Sequence, residues 1–228
     1  MRRLIVLLLA LACASPPARA EPPLATDDAR LVDKGKCQIE GLGRRQSGGG
    51  ESDLALEFAC NLTGNLELAL GRGVLKSAAD GETRITLLQG KTLFKSLEPD
   101  GVGYGLAFGV SRARPHDGQR FSEPFINLIG SLSVLDDRAT LHANLGAVRD
   151  RREHLTRGTW GVAAEYSLGE LLQLVAETTG QRGEKPTLQA GLRVHLVPDQ
   201  LQVSVALGKQ RSPASGRRFA ALGFHFEF

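Results

Sequence analysis

The chain has 228 residues, of which 42% are hydrophobic and 23% charged, with 27 Gly, 10 Pro and three Cys. It is too apolar for a disordered chain, too poor in Cys for a disulfide-dense small fold, and lacks the glycine period of collagen. The longest unbroken apolar run, residues 4–14, covers 11 positions, roughly half of the ~20 that a membrane-spanning helix requires.

Residues 1–20 read MRRLIVLLLALACASPPARA: two Arg, an apolar core, then small residues before Glu21. This layout predicts a secretory signal peptide cut near Glu21. The segment holds three Arg and no acid, and taking those from the 28 Lys and Arg leaves 25 against 25 Asp and Glu. The mature chain is thus expected to be neutral, which sets aside nucleic acid as a partner, because phosphate binding needs a basic excess. A lipoprotein cut before Cys13 competes with this reading. Export would place Cys37 and Cys60 where disulfides form.

Residues 21–35 form a short leader, expected to lie in the periplasm. Beyond it the chain alternates. In VGYGLAFGV, residues 102–110, the large apolar side chains fall on one face and Gly or Ala on the other, the period of a strand. The same pattern recurs from Leu54 to Cys60, at Leu66, Leu68 and Leu70, and through Ile126, Leu128, Leu132 and Val134. It continues at Leu141 to Ala147, Trp160 to Tyr166, Leu172 to Ala176, Leu188 to Leu196, Leu201 to Leu207 and Ala220 to Phe228. Weaker candidates lie at residues 37–43 and 85–93. The count predicts about twelve strands, and an even number suits an antiparallel transmembrane β-barrel with both termini periplasmic.

Tight turns are expected at residues 63–65, 98–101, 136–137, 168–169 and 197–199, with more polar loops at 47–52, 76–82, 113–123, 150–156, 180–185 and 211–216. Short turns alternating with longer loops fit an outer-membrane barrel. The run ELLQLVAE, residues 170–177, also fits a helical turn, although its neighbours alternate. A secreted soluble β-barrel binding an apolar ligand would alternate too, and only twelve aromatic side chains are available for a membrane girdle. The last strand favours the membrane, since Phe224, Phe226 and Phe228 place an aromatic carboxy terminus on its apolar face.

That ending resembles the signal that bacterial outer-membrane barrels present to their assembly machinery. The leader residues 23–29, Gly35 and Gln38-Ile39-Glu40 resemble the opening of outer-membrane proteins labelled "MetA-pathway of phenol degradation". So do residues 141–146, 164–166, 174–177 and 189–193, in order and at fitting spacings. The resemblance implies an outer-membrane channel or transporter for small compounds, aromatic or hydrophobic ones among them, with membrane lipid and the assembly machinery as partners.

If the apolar face meets lipid, the alternate positions line the lumen. These are Glu40, Glu57, Glu67, Asn127, His142, Asn144, Glu165, Gln173, Glu177, Arg193, His195, Gln202 and His225, the candidates for solute contact. Matching faces across the turns sets Leu196 opposite Leu201, His195 opposite Gln202, and Gln202 opposite His225. Arg193, His195, Gln202 and His225 would then gather in the periplasmic half, facing an acidic wall of Glu40, Glu57 and Glu67. Such a charge-separated constriction would order polar solutes; buried ion pairs that seal a narrow lumen, making the protein a structural barrel, are the competing arrangement.

Pairing Cys37 with Cys60 makes Glu40 face Glu57 and brings the two sulfurs within reach of a disulfide, with simple apolar packing as the alternative. Gly103, Gly105, Ala107 and Gly109 leave a smooth inner stripe that leaves room for a solute, accepts a large facing side chain, or bends the sheet. His142 and Glu165 are expected to approach on adjacent strands, as a structural hydrogen bond in preference to an acid/base pair. No metalloprotease, hydrolase or phosphate-loop motif is present, so the reading is non-enzymatic, with no metal site and no cofactor.

Overall fold

The computed structural model of the chain describes residues 22–47, 51–77, 81–115, 118, 120–150, 154–210 and 217–228. The expected signal peptide and Cys13 lie outside them. Twelve strands follow in order: β1 (Cys37–Gln46), β2 (Glu51–Asn61), β3 (Glu67–Ser77), β4 (Gly81–Lys95), β5 (Val102–Arg114), β6 (Phe121–Val134), β7 (Ala139–Asp150), β8 (Leu155–Ser167), β9 (Leu172–Gln181), β10 (Thr187–Val197), β11 (Leu201–Gln210) and β12 (Arg217–Glu227). Each pairs antiparallel with its neighbours, and β1 pairs with β12, closing the barrel. Backbone bonds from Cys37 N to Phe228 O (2.9 Å) and from Phe228 N to Cys37 O (2.8 Å) finish the seam. Closure leaves no unpaired edge, a condition for strands to cross lipid. With an even strand count, Cys37 and Phe228 meet at one end of the barrel.

Period-two alternation sorts the side chains. On β7, Leu145 is 66% exposed on the outer wall while its neighbour Asn144 is 5% exposed inside. The residues buried within are largely polar, and two small apolar clusters complete the interior. The outer wall is the apolar surface, the reverse of a soluble protein. Aromatic side chains concentrate at the end bearing the termini: Phe58 lies 6.3 Å from Phe228, Phe226 lies 5.6 Å from Phe228, and Phe94 lies 6.2 Å from Tyr104. The girdle is thin because the few aromatics available serve mainly one rim.

Several sequence expectations change. β3 to β6 run on into residues expected as loops, so Pro124 lies inside β6, on the outer face opposite Val110. The connections at the two ends then have similar lengths. Three to six residues separate consecutive strands at either end, and the expected loop at 211–216 lies outside the described residues. Strand pairing wins there because a backbone entering lipid or its interface must satisfy every polar group. Residues 172–181 form β9, the expected strand, and not the competing helical turn. A bulge between His195 and Val197 sets Val197, not Leu196, opposite Leu201. The other expected pairings, Cys37 with Cys60, Glu40 with Glu57 and Gln202 with His225, are the observed register. Asp100, Asp136, Asp137 and Asp199 take positive φ in the turns, where a short polar side chain tolerates the left-handed region.

The leader is the largest correction. Its residues do not trail into the periplasm; from Pro22 to Val32 they lie within the barrel against the inward side chains. Pro23 O accepts from Gln189 on β10, Asp27 O from Asn144 on β7, and Val32 O from Asn61 on β2. An extended peptide has an unpaired donor and acceptor at nearly every residue, and the polar inner wall supplies their partners.

Candidate functional site

The interior is built from alternate residues of every strand, and the leader divides it. Glu177 on β9 accepts the backbone N–H groups of Ala25 (2.8 Å) and Thr26 (2.6 Å), and a third bond from Gln189 (2.6 Å). Asn144 accepts from Asp27 N (2.7 Å) and from Asn127 (3.1 Å). Ser131 Oγ accepts from Ala29 N (2.9 Å), and Glu67 from Val32 N (2.9 Å). Lys91 on β4 reaches Asp28 of the leader (3.4 Å) and Glu67 (3.8 Å). The leader is therefore stitched to β10, β9, β7, β6, β4, β3 and β2.

A lateral network continues from this strap. Ser131 Oγ lies 2.8 Å from His142 Nδ1, and His142 Nε2 lies 3.8 Å from Glu165. Arg193 donates to Glu165 (2.8 Å) and Gln173 (2.6 Å), all three being almost fully buried. Near the seam, His225 Nδ1 lies 3.1 Å from Glu40, to which Gln38 also donates, and Glu40 faces Glu57 across β1 and β2. His195 and Gln202 sit directly opposite each other. A disulfide joins Cys37 to Cys60. Outside the strands, Lys36 donates to Glu227 (3.0 Å), and that bond raises the ammonium pKa above its ordinary value.

The expected charge separation is thus not what the interior contains. Arg193 is engaged by Glu165 and His225 by Glu40, so cationic and acidic side chains interleave around the wall. An uncompensated buried charge is costly, and long side chains reach laterally to a partner on the next strand. The stripe of Gly103, Gly105 and Ala107 is filled as well: a side chain at Gly103 would meet Leu97 and Ala29, and Ala29 packs with Leu93, Leu97, Ala107 and Ile129.

Beyond the strap, toward the loop end, a cavity of about 290 Å³ is floored by Ala25 and Thr26 and lined by Asn127, Asn144, Thr159, Thr179, Gln181, Thr187 and Gln210. Its strand-borne polar side chains are hydroxyls and amides, and Glu184 and Lys185 of the β9–β10 connection add one charge of each sign. Asn127 and Asn144 were expected at the lumen; the other five belong to the same inward alternation but lie just beyond the expected strand runs, Gln181 within an expected loop. Lys91, also missed, occupies an inward position on the weakly patterned β4. At the loop end Arg44 pairs with Asp53 (3.0 Å) and lies over the Phe219 ring at 5.2 Å.

A family model described as "Uncharacterised conserved protein UCP029691" matches residues 7–228. The chain belongs to this family. The sequence matches no curated protein. Among solved structures, the chain is similar to the "KdgM porin in complex with disordered oligogalacturonate", with a TM-score of 0.62 and 13% identity over 84% of this chain and 99% of that one. It is similar to the "COG4313 outer membrane channel from Pseudomonas putida F1", with a TM-score of 0.61 and 11% identity over 92% and 100%. The NanC porin follows at 0.60, with 9% identity over 82% and 98%. At these identities the likeness concerns the fold, which is that of an outer-membrane β-barrel. The family member is accordingly an outer-membrane protein whose apolar outer wall meets lipid.

Proposed function

We propose that this barrel is an outer-membrane channel for small polar solutes, with the leader, residues 22–32, acting as an internal strap that restricts the pore. The observation that supports it most is the cavity above Ala25 and Thr26, because a wall of hydroxyl and amide groups exchanges hydrogen bonds with a hydrated solute at little desolvation cost. The similar folds described as a porin and as a channel agree with a transport role. In this reading the signal peptide is removed, both termini face the periplasm, and Phe224, Phe226 and Phe228 present the assembly signal. The lumen residues Glu40, Glu57, Glu67, His142, Glu165, Glu177, Arg193, His195, Gln202 and His225 set the pore's electrostatics, and none is assigned a catalytic role. The phenol-degradation resemblance would add aromatic solutes, but the cavity's polar lining favours hydrogen-bonding ones.

Conductance in planar bilayers tests the proposal. The intact protein is expected to pass small, brief currents, and a variant lacking residues 22–32 larger and steadier ones. If neither conducts although both are folded, the barrel is a sealed structural component, a reading that the buried Arg193–Glu165 pair favours.

A further inference from the structure

The outer wall of a membrane barrel is expected to be apolar, yet four arginines point outward from three adjacent strands. On β3, Arg72 stands opposite Thr86 of β4, which stands opposite Arg112 of β5; one rung further toward the loop end, Arg84 stands directly opposite Arg114. All four are exposed. Glu82 pairs with Arg84 (3.0 Å) and Lys76 (3.8 Å), while among the described residues no ion pair is formed by Arg72, Arg112 or Arg114. Like charges facing each other across a ladder repel, so the array calls for an external anion. Beside it, the Phe224 ring covers Gly41 of β1 while Gly43 stays open, and a groove of about 1,050 Å³ extends from the arginines across Leu54 and Leu56 to Leu222 and Phe224. Leu54 and Leu56, 66% and 53% exposed, make its bed apolar.

We infer that this groove binds a phosphorylated, acyl-chain lipid of the outer leaflet, its phosphates on the arginines of β3 to β5 and a chain along Leu54, Gly43 and the Phe224 ring. Arg presents a planar fork of donors that matches phosphate oxygens. A soluble anion would satisfy the arginines but has no use for the apolar bed, whereas a lipid uses both. Depth agrees for three of the four: charged side chains on the lipid face are tolerated near an interface and not at the midplane, and Arg84, Arg112 and Arg114 lie within four residues of the strand ends opposite the aromatic rim, with Arg72 at mid-strand on β3. The inference rests on the outer-membrane reading with the termini periplasmic, which puts the arginine end in the outer leaflet.

The test uses the full-length barrel, folded in detergent and examined by native mass spectrometry with two probes, diphosphorylated lipid A and the same lipid after phosphatase treatment. The wild type is expected to retain the phosphorylated lipid on the order of tenfold better than the triple variant Arg72→Gln/Arg112→Gln/Arg114→Gln. Arg149→Gln, an outward change on β7, is expected to retain it like the wild type, and phosphate removal to abolish the difference. Equal retention by the triple variant, or indifference to phosphate, overturns the inference. Heat-modifiable gel mobility and detergent-dependent extraction are measured alongside. A variant that keeps both but loses no lipid defeats the inference alone, and a wild type that lacks both defeats the membrane reading with it.

Discussion

Glu177 on β9 holds the backbone N–H of Thr26 at 2.6 Å, across 151 positions of sequence. The same carboxylate oxygen takes the N–H of Ala25, and its partner oxygen takes Gln189. One side chain thus fixes the strap where it floors the polar cavity. Replacing it with Ala leaves three donors without that acceptor, of which the buried Thr26 N–H costs about 1–3 kcal/mol. We expect Glu177→Ala to release the strap locally while the barrel stays closed. A Thr26→Cys probe should then react with a membrane-impermeant maleimide at least several-fold faster, and single-channel current should rise. Unchanged labelling and current would mean that the strap is held elsewhere.

Arg193 is the most deeply committed cation of the lumen, bonded to Glu165 and Gln173 and 1% exposed. Arg193→Met removes the charge but strands the Glu165 carboxylate, a change that costs about 3–5 kcal/mol when one partner of a buried pair is deleted. The double change Arg193→Met/Glu165→Gln should recover most of that loss. Urea-induced unfolding in detergent, followed by heat-modifiable mobility, measures both. Equal stability of the single and double variants would show that Glu165 does not depend on Arg193.

The barrel was legible in the sequence because its two faces differ at every step: Leu141, Ala143 and Leu145 against His142 and Asn144 is a signal carried by adjacent residues. Register was legible where turns are short, as from His195 to Gln202. The strap was not legible, because its hydrogen bonds come from backbone groups that every residue possesses, and EPPLATDDAR bears no period. The pairing of Arg193 with Glu165 was hidden for another reason: it joins β10 to β8 across β9, and register fixes only which residues stand opposite, not how far a long side chain reaches sideways. The outward arginines were overlooked because Arg72, Arg84, Arg112 and Arg114 sit on stretches where alternation is weakest or where a loop was expected.

The disulfide joins strands that already pair, closing a loop with a sequence separation of 23. Chain-entropy reasoning gives such a cross-link roughly 3 kcal/mol, a contribution added at the terminal end of the barrel beside the β1–β12 seam. Cys37→Ser/Cys60→Ser should lower the unfolding midpoint measurably without changing conductance. In the wild type, alkylation under denaturing, non-reducing conditions should label neither residue. Labelling of both would mean that the two thiols only pack together.

Phe228 separates folding from delivery. Its ring packs on Phe58 and Phe226 at the outer terminal rim, and its backbone N–H and C=O both bond to Cys37. The backbone bonds survive truncation of the side chain, and a half-exposed ring at a membrane interface contributes little packing. Phe228→Ala should therefore refold in detergent with a midpoint within about 1 kcal/mol of the wild type. If the terminal aromatic is read by assembly machinery, the same variant should accumulate in the cell several-fold less in the outer membrane, and Phe228→Tyr should restore it. Normal outer-membrane yield of Phe228→Ala would leave Phe228 as a lipid-facing residue only, and equal losses in the cell and in detergent would assign it to stability.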